Sequence, residues 1–526
     1  MTSTRRAFLR QLGLSAGAFA FLEASSAWAV GGLPRSTPEA EGVSSEGILA
    51  FLDAIAKSAH ELHSFMMLRH GKVVAEGWWS PYGPELRHML YSLSKSFTSS
   101  AVGFAVAENK LRVSDRVVSF FPNDVPANAA DRLANLRVSD LLTMSVGNEK
   151  EPTGTVVAVE NWVRTFLAQP LKNTPGTTFL YNSAATYMCS AIVQQVTGEK
   201  VVDYLRPRLF EPLGIEGATW ETCPRGINTG GWGLSLRTED LAKFGQLYLQ
   251  KGKWNERPLL SAQWVEEATT FKIQQPSPPK PTRPKEQNDW LQGYGYQFWR
   301  CQHGAFRGDG AFGQYVIVLP EQDAVIAMTG ESGNMQGELD LVWEHLLPAL
   351  EEKALPADAA AAARLQTALG SLALKAPAGQ RTSATAARVG GKTYTIQPGA
   401  LHITSADFAF TDTTAVFTAR TAETTHAVTC GIEQWHLGET AFPSVPPRII
   451  AGGTPPAGTP YKIAASGRWK DEKTFIMTWR YIETPHRDAV VCQFEGDSVK
   501  ISFISSISEK RGKPNEARAT LTGRLT

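Results

Sequence analysis

The sequence predicts an α/β (α+β) domain, made of an antiparallel sheet and a separate helical region, followed by a second, all-β domain. Three observations predict it. Phe65-Met66-Met67-Leu68 and Val73-Val74-Ala75 are apolar runs flanking His70-Gly71, which is a hairpin signal. The stretch from Ser92 to about Leu260 is mostly helical spacing broken by loops, and strand patterns return at Tyr294 to Trp299 and Tyr315 to Leu319. From about Thr382 the chain turns into short alternating apolar segments rich in Thr and Val, the pattern of a sandwich or small barrel.

The 526 residues suffice for two or more domains. Residues 1–29 read as an export signal. Arg5-Arg6 precedes apolar residues, Leu12 to Leu22 is rich in Gly and Ala, and Ala27-Trp28-Ala29 has the small-x-small form of a cleavage site. This resembles a twin-arginine (Tat) signal, which exports folded protein to the periplasm or medium. Its apolar run of about eleven residues is too short to span a bilayer, and no later stretch reads as a membrane span. Residues 33–352 form the expected α/β domain, 353–380 an Ala-rich linker or helix, and 381–526 the β domain. In the last region, Lys392 to Ile396, Ala415 to Ala419, Thr474 to Tyr481, Ala489 to Phe494 and Val499 to Ile504 read as strands.

Charge is balanced, with 52 basic and 51 acidic residues, which argues against nucleic acid as a partner. Five cysteines show neither C-x-x-C nor paired-His spacing, so no metal site is expected. An exported protein permits disulfides, and Cys430–Cys492 is a candidate bridge, with buried inert thiols as the alternative. Pro276, Pro278, Pro279, Pro281 and Pro284 crowd a polar stretch that reads as a lid or a plain surface insertion. Trp220, Trp232, Trp290 and Trp299 are candidates for an aromatic cleft or for the core. His303 reads as a structural histidine, with a catalytic one as the alternative.

The chemistry-bearing pattern is Ser92-Leu93-Ser94-Lys95, after Met89-Leu90-Tyr91 and at the start of a helical run to Lys110. Residues three apart share a helix face, so Lys95 can reach Ser92. A serine is a poor nucleophile until a base takes its proton, and a desolvated lysine can be that base. Companion stretches follow in order: Leu141-Leu142-Thr143-Met144-Ser145-Val146-Gly147, Pro175-Gly176-Thr177-Thr178-Phe179-Leu180-Tyr181-Asn182-Ser183, Gly230-Gly231-Trp232-Gly233, and Gly308-Asp309-Gly310-Ala311-Phe312-Gly313-Gln314-Tyr315. In this order they resemble the serine β-lactamase and penicillin-binding-protein superfamily. The nearest likeness is its class C-like branch, with family VIII carboxylesterases, D-aminopeptidases and nylon-oligomer hydrolases. The resemblance covers roughly residues 35 to 350.

The resemblance implies a five-stranded antiparallel sheet, with the active site between sheet and helical region. It makes Ser92 the acylated nucleophile, Lys95 its proton acceptor and Tyr181 the second-motif tyrosine that passes protons to leaving group and water. Burial and mutual charge are expected to pull the Lys95 and Tyr181 pKa values inward. It also makes the Ser92 N–H and the Ala311 N–H the oxyanion donors. Ser183, Trp232 and Phe312 are candidate substrate contacts. Two departures bear on substrate: Ser183 replaces the usual asparagine of Tyr-x-Asn, and no Lys-Thr-Gly occurs around Gly304 to Ala311. Asp309 there would repel a β-lactam carboxylate, with Arg307 a candidate compensating charge. The class A Ser-Asp-Asn motif and deacylating glutamate have no visible counterpart.

These readings point to an exported serine hydrolase that forms an acyl-enzyme on a small-molecule ester or amide and needs no metal or organic cofactor. β-Lactamase or D-amino-acid peptidase activity is the nearer alternative. A non-catalytic binding protein on the same fold is the more distant one. The β domain could shape the cleft, bind glycan or lipid, or stabilise the enzyme.

Overall fold

A computed structural model describes residues 32–127, 129–450, 452–454 and 460–526. The expected export signal lies outside them. The first domain is organised by a sheet of β1 (Leu62–Arg69), β2 (Lys72–Trp78), β3 (Trp299–Arg300), β4 (Phe306–Gly310), β5 (Gln314–Leu319) and β6 (Ala324–Gly330). Their order is β2-β1-β6-β5-β4-β3 and every pairing is antiparallel. The predicted hairpin is present. His70 (φ 50°) and Gly71 (φ 74°) both take left-handed backbone, as a two-residue turn that matches strand twist requires.

The sheet has six strands rather than the five implied by the resemblance, and the strand expected over Tyr294 to Trp299 shrinks to Trp299–Arg300. Gly293 (φ 108°) and Gln297 (φ 68°) turn the chain there, and left-handed residues break an extended run. The Gln297 carbonyl instead accepts the Ser96 hydroxyl at 2.9 Å.

Because side chains alternate across a strand, the sheet separates two cores. Phe65, Met67, Ile317 and Ile326 pack with α1 (Ser45–Lys57). Met66, Leu68, Val316 and Val325 pack with the helical region. That region holds α2 (Ser94–Ala107), α3 (Ser183–Thr197) and α4 (Thr238–Leu249). Gly245 of α4 lets the helix close onto the sheet, since a Cβ there would stand 2.5 Å from Val325 and 2.7 Å from Val316. Nearly all of α2 is buried, so the helix that begins beside Ser92 is central rather than amphipathic.

The Ala-rich segment forms a helix over Ala359–Gly370. Beyond it lie β7 (Thr393–Ile396), β8 (Ser405–Phe410), β9 (Thr414–Arg420), β10 (Thr425–Ile432), β11 (His436–Thr440), β12 (Tyr461–Trp469), β13 (Thr474–Tyr481), β14 (Arg487–Glu495), β15 (Ser498–Ser505) and β16 (Ala519–Leu525). A parallel pairing of Gly431 with Ser466 and Ile432 with Gly467 joins β10 to β12 and closes a nine-stranded barrel, leaving β11 as a flap on β12. Closure removes the exposed edges that an open sheet would carry. Trp469, Trp479 and Tyr481 fill the interior. Cys430 and Cys492 also point inward, but all five cysteines are buried and free, so the candidate bridge is not made.

The barrel docks on the first domain through buried polar contacts. Arg480 reaches Glu61 at 2.8 Å, Glu61 also meets His63 at 3.2 Å, and His63 stacks on Tyr82 at 3.8 Å. The Tyr82 hydroxyl donates to the Thr484 carbonyl, and the Met89 N–H to the Glu483 carbonyl. Glu61→Ala strands the Arg480 guanidinium at this interface. The expected result is a loss of about 3 kcal/mol, read as a lower urea midpoint; an unchanged midpoint would mean the pair contributes nothing to docking.

Candidate active site

Ser92 lies in a short 3-10 turn, Tyr91–Leu93, that runs directly into α2. Its hydroxyl is half-buried. Lys95, one helical turn on, is 2 % exposed. The start of α3 and the glycine loop before α4 converge on it: the Lys95 amine lies 2.9 Å from Ser92 Oγ, 3.1 Å from Ser183 Oγ and 2.7 Å from the Gly231 carbonyl. Burial removes water from the ammonium and pushes the Lys95 pKa down to about 7, against the opposing pull of Glu151 and Asp309. A neutral amine has two N–H donors and one lone pair. With the donors on Gly231 and Ser183, the lone pair is left for the Ser92 hydroxyl proton.

Backbone contacts hold these parts in register. The Ser94 hydroxyl accepts the Leu234 N–H at 3.1 Å, the Thr98 hydroxyl donates to the Gly230 carbonyl at 2.9 Å, and the Leu90 N–H donates to the Leu234 carbonyl at 2.9 Å. Asn182 caps α3 by accepting the Ala185 N–H at 3.0 Å and donates to Asn148 at 3.1 Å. The carbonyl of Met144 takes the Leu180 N–H at 2.8 Å, which ties the Leu141 to Gly147 motif to the tyrosine segment.

Tyr181 is half-buried beside Lys95, whose amine sits 4.8 Å from the ring centroid. The expectation that both pKa values move inward holds for Lys95 alone. Burial, reinforced by the Asp309 carboxylate, pushes the Tyr181 phenol up, so at neutral pH it keeps its proton and can donate one. Its ring stacks on Trp299 at 5.6 Å.

Below Trp299 lies the Arg307–Asp309 pair. Arg307 Nε and Nη2 stand 3.0 and 2.9 Å from the same Asp309 oxygen. Arg307 also donates to the Asp289 carbonyl at 3.0 Å and to Cys301 Sγ at 3.1 Å, and it is fully buried. Its direction is thus settled: it neutralises Asp309 and does not face the cleft as an anion anchor.

The other predicted residues are dispersed. Ala311 lies in the turn after β4, its carbonyl held by Gln314 Nε2 at 3.0 Å. Phe312, in left-handed backbone (φ 70°), is half-buried next to it. Ser183 turns its hydroxyl on Lys95. Trp232 is 4 % exposed and stacks on Trp162 at 5.8 Å; what its segment brings to Lys95 is the Gly231 carbonyl. Trp220 is core, whereas Trp299 joins the site through Tyr181. His303 is exposed against Trp343. The proline-rich stretch is an exposed strap pinned by Arg283 to Asp340 at 2.8 Å. Among the described residues no cluster of His, Cys, Asp and Glu could hold a metal ion. The sequence reading missed Glu151, which accepts the Ser183 N–H at 3.1 Å and is bonded by the Thr153 hydroxyl. It lies outside the motifs and only the fold brings it there.

The family model for Beta-lactamase matches residues 60–350, more than half of the chain. The chain belongs to the beta-lactamase family. Its relatives are hydrolases. The 6-aminohexanoate-dimer hydrolase of Paenarthrobacter ureafaciens is 26 % identical over 303 residues, 52 % of this chain and 76 % of that protein. A putative D-alanyl-D-alanine carboxypeptidase of Escherichia coli K12 is 26 % identical over 153 residues, 26 % of this chain and 35 % of that protein. Among solved structures, the putative 6-aminohexanoate-dimer hydrolase from Bacillus anthracis aligns with a TM-score of 0.49 at 18 % identity, covering 61 % of this chain and 89 % of that one.

Three outcomes test this geometry. With neutral Lys95 as the competent base, the acylation rate rises with pH through about 7 and levels above it. Lys95→Arg keeps the charge but cannot deprotonate, and it is expected to lower the rate about 10²- to 10⁴-fold; both are read by stopped-flow ester cleavage. Gly310 stands so close to Leu90 that a Cβ would lie 2.0 Å from the Leu90 carbonyl oxygen. Gly310→Ala must push β4 away from the Ser92 turn, so a fall of about 10²-fold or more in kcat is expected with an unchanged circular dichroism spectrum.

Proposed function

We propose that this family member is an acyl-enzyme hydrolase of small, uncharged esters or amides. Ser92 attacks the carbonyl while Lys95 takes its proton, and the Ser92 and Ala311 N–H groups hold the oxyanion. Tyr181, kept protonated, gives a proton to the leaving group. Lys95 then passes its proton to Tyr181, takes one from the hydrolytic water as that water attacks the acyl carbonyl, and returns it to Ser92 Oγ as the acid leaves. The observation that carries the reading is the Lys95 amine, buried and near neutral pKa, 2.9 Å from Ser92 Oγ.

The preference for an uncharged substrate rests on Arg307. A β-lactam or a peptide C-terminus brings a carboxylate. Here the cation nearest the third-motif position is buried and already paired with Asp309, so a carboxylate would lose its hydration without gaining a partner. The β-lactamase and D-amino-acid peptidase alternatives rank lower for that reason. Arg5-Arg6 and the apolar run after it support export through a Tat-type route. Among the described residues no helix is long and apolar enough to cross a membrane.

The test is product release and intact mass with time for p-nitrophenyl butyrate and nitrocefin, using the protein and its Ser92→Ala variant. Ester turnover and a transient acyl adduct are expected, both lost in Ser92→Ala. Nitrocefin turnover at comparable kcat/KM would overturn the argument from Arg307. An ester turnover unaffected by Ser92→Ala would overturn the mechanism.

A further inference from the structure

The residue before the nucleophile, Tyr91, is a non-glycine residue in left-handed backbone (φ 47°). Such a conformation persists where the surroundings over-determine it. Its surroundings come from the barrel. The Tyr91 hydroxyl bonds Nε2 of His486, in the turn between β13 and β14. Nδ1 of His486 lies 2.6 Å from Glu331 Oε1, just past the end of β6, and the Ser506 hydroxyl bonds the same oxygen. His486, Glu331 and Ser506 are all buried.

The proton order follows from the partners. The Glu331 carboxylate accepts the Nδ1–H of His486, so Nε2 accepts the Tyr91 O–H. Burial pushes the Tyr91 phenol up, which keeps its proton in place.

The second arm of the site meets the same imidazole. Phe312, also left-handed, packs edge-on against His486 at 4.9 Å and against Tyr91 at 5.8 Å. Its carbonyl accepts the Ser332 N–H at 2.9 Å, one residue beyond Glu331. Tyr91 precedes Ser92 and Phe312 follows Ala311, so the two residues neighbouring the oxyanion donors converge on one side chain of the barrel.

We propose that His486 is a positioning residue for the acyl-transfer centre: through Tyr91 and Phe312 it fixes the two backbone N–H groups against each other, making the C-terminal barrel part of the active site. This rests on the acyl-enzyme reading above. A role confined to joining the domains would leave the reacting geometry untouched.

The experiment compares Tyr91→Phe, His486→Ala and His486→Gln for ester kinetics, thermal midpoint and affinity for an alkyl boronic acid, which forms a tetrahedral adduct on the serine and so reports the oxyanion site. Tyr91→Phe keeps the ring and removes only the hydroxyl. It is expected to lower kcat about 10- to 100-fold, the scale of misplacing a donor. KM should stay within about twofold, with boronate affinity falling in parallel with kcat. His486→Gln, which can still accept the phenol proton, should recover part of what His486→Ala loses. Combining Tyr91→Phe with His486→Ala should cost little more than His486→Ala alone. A Tyr91→Phe variant with normal kcat and boronate affinity, or a His486→Ala variant changed only in thermal midpoint, would overturn the proposal. A wild-type protein inert toward ester and boronate would overturn the acyl-enzyme reading itself.

Discussion

The site depends on burying one amine. Lys95 is solvent-excluded, with acceptors from its own helix, from the start of α3 and from the glycine loop before α4. In water it would hold its proton; in this enclosure the charged form loses hydration faster than Glu151 and Asp309 repay it. Three chain segments must therefore arrive together before the Lys95 amine is enclosed beside Ser92. The central, fully enclosed placement of α2 and the contacts of Ser94, Thr98 and Leu90 with residues 230–234 are the means by which they do.

The surrounding charges are arranged as a neutral pair rather than as a binding cation. Arg307 is held by Asp309, the Asp289 carbonyl and Cys301 beneath Trp290 and Trp299. Burial tends to raise the Asp309 carboxyl and Arg307 offsets this. Trp299 passes the arrangement on to Tyr181 by stacking, so the tyrosine is set in place by an aromatic contact on one side and by the Lys95 amine on the other. A pair so deeply buried needs both partners, which makes it a determinant of shape and polarity here rather than a reserve of charge.

The barrel is bound into this arrangement at several points. Arg480, Glu483, Thr484 and His486 lie in or beside one turn, β13 to β14, and each touches the first domain. One of these contacts, that of His486, is with Tyr91, the residue before Ser92. The hairpin at His70-Gly71, the helix after Ser92 and the alternating strands after Thr382 were legible because each is announced by local periodicity or turn chemistry. The Tyr294 to Trp299 strand was misread because aromatic alternation looks extended, while Gly293 and Gln297 turn the backbone. The Cys430–Cys492 bridge was suggested by shared domain alone, and the two thiols share the barrel interior unbonded.

By itself the sequence determined the order of the candidate groups that the fold brings together, since Ser92 and Lys95 are set three apart by helix geometry and Tyr181 by its Pro-Gly-Thr lead-in. It also determined the two-part architecture, through the change of hydrophobic period near residue 380. Only the tertiary structure decided how Lys95 titrates, because its pKa depends on burial and on the Glu151 and Asp309 carboxylates that the fold brings near it. The same holds for Arg307, whose direction is set by Asp309, Asp289 and Cys301 together, and for His486, which meets Tyr91 across nearly four hundred residues. Such contacts leave no local pattern: they arise where separately folded surfaces close and exclude water.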